Sequence, residues 1–277
     1  MKLTTATLTT IFLAGNALAA PRSGLAERLE ARGVLNRQSI PPHMIDHSDE
    51  ENGVLLKEGS NSAKVQYSKN WAGVVREQPP PSATYNAVSA TFTVPDPTAT
   101  DNSGDTQAAS AWVGIDGDTY TNAILQTGID AYIEGDGQKS YDAWYEWYPN
   151  PAENFQIDLS AGDVIVAKVE SSSPSKGVAI IENKSSGKSV TKTLSAPSTS
   201  ATLGGQNAEW IVEDFNSGDS MVPLANFGKI SFTGAQAKAG DNEYGVNDGE
   251  ILDIQQGGKV LAEVHVDSDT EFTVTYQ

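Results

Sequence analysis

From Tyr67 to the C-terminus the chain is a succession of short runs rich in β-branched residues, each stopped by Gly, Asp, Asn, Ser or Pro. YNAVSATFTV, DVIVAKVE, GVAIIEN, KISFTGA, KVLAEVHV and EFTVTYQ are of this kind. In the first, Val88, Ala90, Phe92 and Val94 fall on one side of a period of two, the period of a strand. No run here carries a helical period for more than a turn, and no internal repeat is visible. Many short strands with turn residues between them predict an all-β domain, an antiparallel β-sandwich of two packed sheets, preceded by a prosegment.

The N-terminal part reads differently. MKLTTATLTTIFLAGNALAA combines an early lysine, a short apolar run and an Ala-Leu-Ala ending, which predicts a secretory signal over residues 1–20. Residues 21–66 read as a prosegment, partly helical or disordered. LAERLEARGVL is its amphipathic helix, Pro41-Pro42 breaks it, and HSDEENG is polar and acidic. The sandwich is then expected over 67–277. No later run is apolar and long enough to span a bilayer, so the expected product is soluble, secreted and extracellular. The sequon Asn183-Lys184-Ser185 fits a glycosylated surface turn.

Charge divides the chain at the same place. Residues 1–66 carry seven basic and seven acidic groups; residues 67–277 carry eleven and twenty-nine. Arg22, Arg28, Arg32 and Arg37 precede residue 40, and only Arg76 follows. So anionic a body repels nucleic acid and anionic membranes, and neither is an expected partner. With few cations to pair them, few of its carboxylates owe stability to ion pairs that acid would break, which suits an acidic workplace. The prosegment arginines are expected to dock on the body at neutral pH and to release when its carboxylates protonate.

Three consecutive runs carry an unusual polar face. In ASAWVGIDG, Ala111, Val113 and Ile115 are apolar, leaving Trp112, Gly114 and Asp116 opposite. NAILQTGIDAY sets Ala123, Leu125, Thr127, Ile129 and Ala131 against Ile124, Gln126, Gly128, Asp130 and Tyr132. YDAWYEWYP sets Tyr141, Ala143, Tyr145 and Trp147 against Asp142, Trp144, Glu146 and Tyr148. Turn-rich connections make these a meander. Rings interleaved with a few acids and one amide describe a ligand groove on a sheet rather than a solvated face.

Residue types then narrow the chemistry. Without cysteine there is no thiol catalysis and no disulfide. After the prosegment only His265 remains, on the polar side of a surface strand, so a Ser-His-Asp triad has no base. Zinc lacks its ligands. The DGD turn at Asp116–Asp118 and the turn around Asp136 lack the spacing of a calcium loop. No metal and no cofactor is therefore expected. A further acidic run, AEWIVEDF, puts Glu209, Ile211, Glu213 and Phe215 on one face. Glu213 among apolar neighbours has a pKa moved upward, and can take a proton from water in mild acid. A nearby Gln side chain can donate N–H to a tetrahedral oxyanion. On the residues alone, peptide hydrolysis stands only slightly above glycoside hydrolysis by Glu146 and Glu213, and a lectin-like carbohydrate-binding sandwich needs only the rings.

NWAG, VSATFTVPDP, AWVGIDGDTYTNAILQTGID, YDAWYEWYP and AEWIVEDF, in that order, resemble the secreted glutamic peptidases, or eqolisins. The resemblance implies an acid endopeptidase made with a signal and a prosegment, acting on protein or peptide substrates from the concave face of a sandwich of two large antiparallel sheets, concanavalin A-like. It implies Gln126 and Glu213 as the catalytic pair and places Trp71, Trp112, Asp116, Asp130, Asp142, Trp144, Glu146 and Tyr148 around the groove. The prosegment is then the expected inhibitor, and a monomer the expected state. Family members often carry disulfides; this chain carries none.

Overall fold

A computed structural model describes residues 37–45 and 65–277. The signal and the LAERLEARGVL helix lie outside these residues.

The strands run in chain order from β1 (Arg37–Gln38) and β2 (Val65–Ser68) through β3 (Trp71–Arg76), β4 (Tyr85–Thr93) and β5 (Gln107–Ile115). Then come β6 (Ile124–Ile133), β7 (Lys139–Tyr148), β8 (Glu153–Asn154), β9 (Val164–Ser173), β10 (Lys176–Asn183) and β11 (Lys188–Ser195). They are followed by β12 (Ala208–Glu213), β13 (Asn216–Ser217), β14 (Ser220–Met221) and β15 (Lys229–Ala239). Last are β16 (Asn242–Tyr244), β17 (Glu250–Gln256), β18 (Lys259–Ser268) and β19 (Glu271–Tyr276).

One layer has the order β11-β10-β9-β4-β15-β19-β18, the other β17-β3-β12-β5-β6-β7-β8. The β17–β18 hairpin joins them at one side, with an irregular register at Ile254/Gln255. The two expected antiparallel sheets are thus one hydrogen-bonded path folded over itself. One pair departs from the antiparallel pattern: β2 runs parallel to β17, Val65 opposite Ile251. Because β2 begins at Val65, the body's first strand crosses the expected boundary at residue 66.

Between the layers lies the main core. From the second layer it takes Ala111, Val113, Ile115, Leu125, Ile129, Ala143, Tyr145 and Trp147, the apolar faces that the alternation of β5, β6 and β7 predicts. From the first it takes Phe92, Phe232 and Phe272; the last two stack with centroids 4.8 Å apart.

Alternation predicts one core face and one open groove face for β5 and β6, yet every residue of both strands is buried. Their outer faces are covered by residues 37–45. β1 pairs with β13, the Ala152 N–H donates to the Arg37 carbonyl, and Met44 bridges to Ser68. Further along, the Lys69 N–H donates to the His43 carbonyl and the Ile45 N–H to the Tyr67 carbonyl. An extended segment bonded in this way lies over the second layer as an added strand would.

The sequon is corrected by the structure. Asn183 ends β10 and is fully buried; its amide donates to Asp163 Oδ2 at 2.8 Å and its carbonyl oxygen accepts from the Ser186 N–H. The turn is where the sequence puts it, but its Asn side chain closes the turn inward and leaves no room for a glycan. His265 is exposed on its strand, as expected.

Candidate active site

Registry sets the outer face of the second layer. Across β12, β5, β6 and β7, one row reads Glu213, Ser110, Asp130, Asp142; the next reads Ile211, Trp112, Gly128, Trp144; the third reads Glu209, Gly114, Gln126, Glu146. Trp71 stands beside Glu213 on β3. Gln126 and Glu213 therefore share one face of one layer, with β5 between their strands. Two glycines open the space. A side chain at Gly128 would collide with Cβ of Trp112, so its absence admits the indole. A Cβ on Gly114 would lie 2.8 Å from Trp112 Cζ3 and 3.4 Å from Gln126 Cβ. At the other edge of the same indole, Nε1 donates to Glu213 Oε2 at 2.9 Å. The Trp112 ring thus bridges the interval from Glu213 to the notch beside Gln126.

Rings line the rest: Trp71 meets Trp112 edge-on at 5.0 Å, and Trp144, Ile124 and Ile211 complete an apolar cluster with Tyr148 at its margin. Within it, polar atoms are buried without a hydrogen bond: both ends of the Gln126 amide, Glu146 Oε1, and the indole N–H groups of Trp71 and Trp144. Buried orphans are rare in native proteins, and a concentration of them marks a place built to meet a ligand.

Arg37 occupies this face. Its Nε donates to Asp130 at 3.1 Å, Nη1 to Glu146 Oε2 at 3.2 Å, and Nη2 to Ser110 Oγ at 3.0 Å, while Glu213 Oε2 lies 3.7 Å from Nη2. Its guanidinium carbon sits 3.5 Å from the Trp144 ring centroid and 4.8 Å from that of Phe215. Two residues on, Ser39 Oγ donates to Glu213 Oε2 at 2.6 Å, and the Ile40 N–H to Oε1 at 3.3 Å. Burial would lower the pKa of Arg37, but Asp130, Glu213 and Glu146 together raise it. Burial pushes Glu213 up to about 7 against the opposing pull of Arg37, Ser39 and Ile40. It pushes Glu146 well above the carboxylate range despite Arg37. Next to Glu213, Asp214 is raised by burial to about 8, although Gln256 Nε2 donates to it at 2.7 Å.

Nine of the ten residues expected around the groove lie on this face or its margin. Asp116 does other work. At the end of β5, with φ of 64°, it turns both oxygens to the backbone N–H groups of Gly204, Gly205, Gln206 and Asn207, at 2.6–3.3 Å. It anchors the loop that leads into β12 and so fixes where Glu209 and Glu213 stand. In Asp116→Ala those donors lose their acceptor, at ~3 kcal/mol; thermal unfolding should shift down by about 6–12 °C. An unchanged midpoint would show the loop held by something else.

Sequence reasoning passed over Ser110, Ser39 and Asn70. Extending the alternation of β5 back by one step reaches Ser110. The Asn70 side chain accepts the His43 N–H and faces the Ile40 and Pro41 carbonyls, contacts that no pattern in the sequence announces.

A two-layer sandwich with an amide and several acids in a ring-lined hollow defines a class of hydrolase, and comparison with known proteins gives the family. The family model described as "Peptidase A4 family" matches residues 69–276. Aspergillopepsin-2 of Aspergillus niger is 45% identical over 287 residues, 97% of this chain and 98% of that protein. Scytalidopepsin B of Scytalidium lignicola is 39% identical over 202 residues, 70% of this chain and 73% of that protein. Among solved structures, scytalido-glutamic peptidase with a peptide-based transition-state analogue aligns at a TM-score of 0.66 and 36% identity, covering 76% of this chain and 98% of that one. Aspergilloglutamic peptidase from Aspergillus niger aligns at 0.59 and 53% identity, covering 62% and 99%. The chain belongs to the Peptidase A4 family, the eqolisins, and is a glutamic peptidase.

Proposed function

We propose that the chain is exported as a zymogen and, once its N-terminal segment is removed, hydrolyses peptide bonds in acid with Gln126 and Glu213 as its catalytic pair. The observation that carries this reading is the seat of Ser39, whose hydroxyl lies 2.6 Å from Glu213 Oε2, where a water must stand to be activated. With the segment gone, solvent returns to Glu213 and relieves the burial that raises it; a solvated glutamate titrates near ~4.3. Ionised Glu213 takes a proton from the water as its oxygen bonds to the scissile carbon. The carbonyl electron pair moves onto oxygen, and the Gln126 N–H group stabilises that oxyanion. Glu213, now an acid, gives its proton to the nitrogen as the C–N bond breaks, leaving a carboxylic acid and an amine. Trp71, Trp112, Trp144 and Tyr148 shape the hollow; Asp130 and Asp142 continue the row of Glu213, and Glu146 the row of Gln126. The sugar-directed readings lose ground, since the relatives compared are peptidases.

The segment blocks this chemistry twice: Ser39 takes the place of the water, and Arg37 ties the carboxylates. Acid protonates those carboxylates and weakens the tie, whose disruption is worth ~3–5 kcal/mol for a buried pair. The purified full chain, brought from neutral pH to about pH 3.5, a little below the ordinary Glu range, should shed its N-terminal residues up to about residue 66 and begin to cleave a denatured protein. Arg37→Ala should do both at a higher pH than the parent. A precursor that stays whole and inactive in acid, or an Arg37→Ala profile that overlays the parent, would count against this account.

A further inference from the structure

Glu209 has no place in the chemistry just described, yet its position is unusual. It lies on β12 four residues before Glu213, on the same face and fully buried, and neither carboxyl oxygen has a hydrogen-bond partner. Its row neighbour on β5 is Gly114, and the next residue in that row is Gln126. Glu209 Oε2 lies 3.3 Å, and Gln126 Cβ 3.4 Å, from the point a Gly114 Cβ would occupy. The two side chains therefore flank one notch, and both are buried with their polar atoms unpaired.

An amide has two ends of nearly equal size. With neither end bonded, Gln126 has no fixed preference for presenting Nε2 rather than Oε1 to the hollow, and only Nε2 can hold an oxyanion. We propose that Glu209 is a positioning residue: its carboxyl group, reaching across the notch at Gly114, sets the orientation of the Gln126 amide. Among the described residues, the charged groups around Glu209 are acids, Asp116 at the end of its β5 neighbour and Asp118 just beyond. On the far side of Gln126, Glu146 is tied to Arg37; the β3 neighbour is Val75, and β17 beyond it contributes Glu250. A carboxylate buried without a cation is too costly, so Glu209 is a neutral acid. As an acid it carries an O–H that donates to Gln126 Oε1, directly or through one water, and turns Nε2 toward substrate.

This inference rests on the Gln126/Glu213 reading, and the experiment separates the two. Glu209→Leu, Glu209→Gln and Gln126→Ala are made in the full chain, processed with an immobilised acid protease, and assayed on one peptide. Glu209→Leu should lower kcat by about 10–100-fold with KM within about 2-fold, the effect of an active-site group left loosely aimed. Its unfolding temperature should hold or rise, since an unpaired buried polar group has gone. Glu209→Gln, neutral and able to donate, should recover most of the lost kcat. Parental kcat in Glu209→Leu, or equal damage from Leu and Gln, rejects the positioning role while an inactive Gln126→Ala leaves the catalytic pair standing. Activity in Gln126→Ala removes the pair and this inference together. Should Glu209→Leu not fold, Glu209→Met takes its place in the same comparison.

Discussion

Glu213→Ala is expected to reduce kcat on a denatured protein near pH 3 by at least about 10³-fold, and Gln126→Ala by about 10²–10³-fold. The two losses have different origins. Without Glu213 nothing accepts the proton of the attacking water or returns it to the leaving nitrogen. Without Gln126 the water is still activated, but the oxyanion forms with no donor facing it. Neither substitution should unfold the protein. Both polar ends of Gln126 are already unpaired, so Gln126→Ala leaves no partner behind and should melt near the parental temperature. Glu213→Ala takes the acceptor from the Trp112 indole N–H, the Ser39 hydroxyl and the Ile40 N–H, and should melt a few degrees lower. More than a few per cent of parental activity in either would reject the assignment.

Stability of the full chain should fall as pH rises from about 4 to 8. Glu213, Asp214 and Asp118 are raised by burial to about 7, about 8 and about 6, so the folded state binds protons that the unfolded chain, titrating near ~4, has released. Their contribution is complete below the unfolded value and is lost stepwise as pH passes 6, 7 and 8. For Asp214, moved from 3.8 to about 8, the span is on the order of 5 kcal/mol. The unfolding temperature should drop by at least about 10 °C across that range. Asp214→Asn should flatten the slope, and Arg37→Ala should steepen it by removing the cation that opposes the upward shift of Glu146 and Glu213. A midpoint that rises with pH would contradict the picture.

Most of the fold was legible because strands advertise themselves locally. The alternation in β5, β6 and β7 assigned each residue to the right side, and Trp112, Gln126, Trp144 and Glu146 were found on one surface without coordinates. What failed to show was set by distant partners. The parallel pairing of β2 with β17 joins residues far apart in the chain, and no period within four residues states it. Asn183 reads as an exposed sequon because Asp163, which it bonds, lies in another loop. Asp116 reads as a groove acid because the N–H groups it serves belong to residues 204–207. The charge split between the segments puts arginine against an acidic body, and Arg37 does lie there. Arg22, Arg28 and Arg32 fall outside the described residues, and the rings that receive Arg37 are set by the hollow that only the folded layers create.

A sheet that gathers Asp130, Glu146 and Glu213 on one side crowds buried acids together as it folds. Arg37 brings a counter-ion to these three on the same chain, so that face can close at neutral pH without waiting for protons. On the proposed processing, loss of that residue would remove the assistance for good, and the processed molecule would have no comparable route back to its shape at neutral pH.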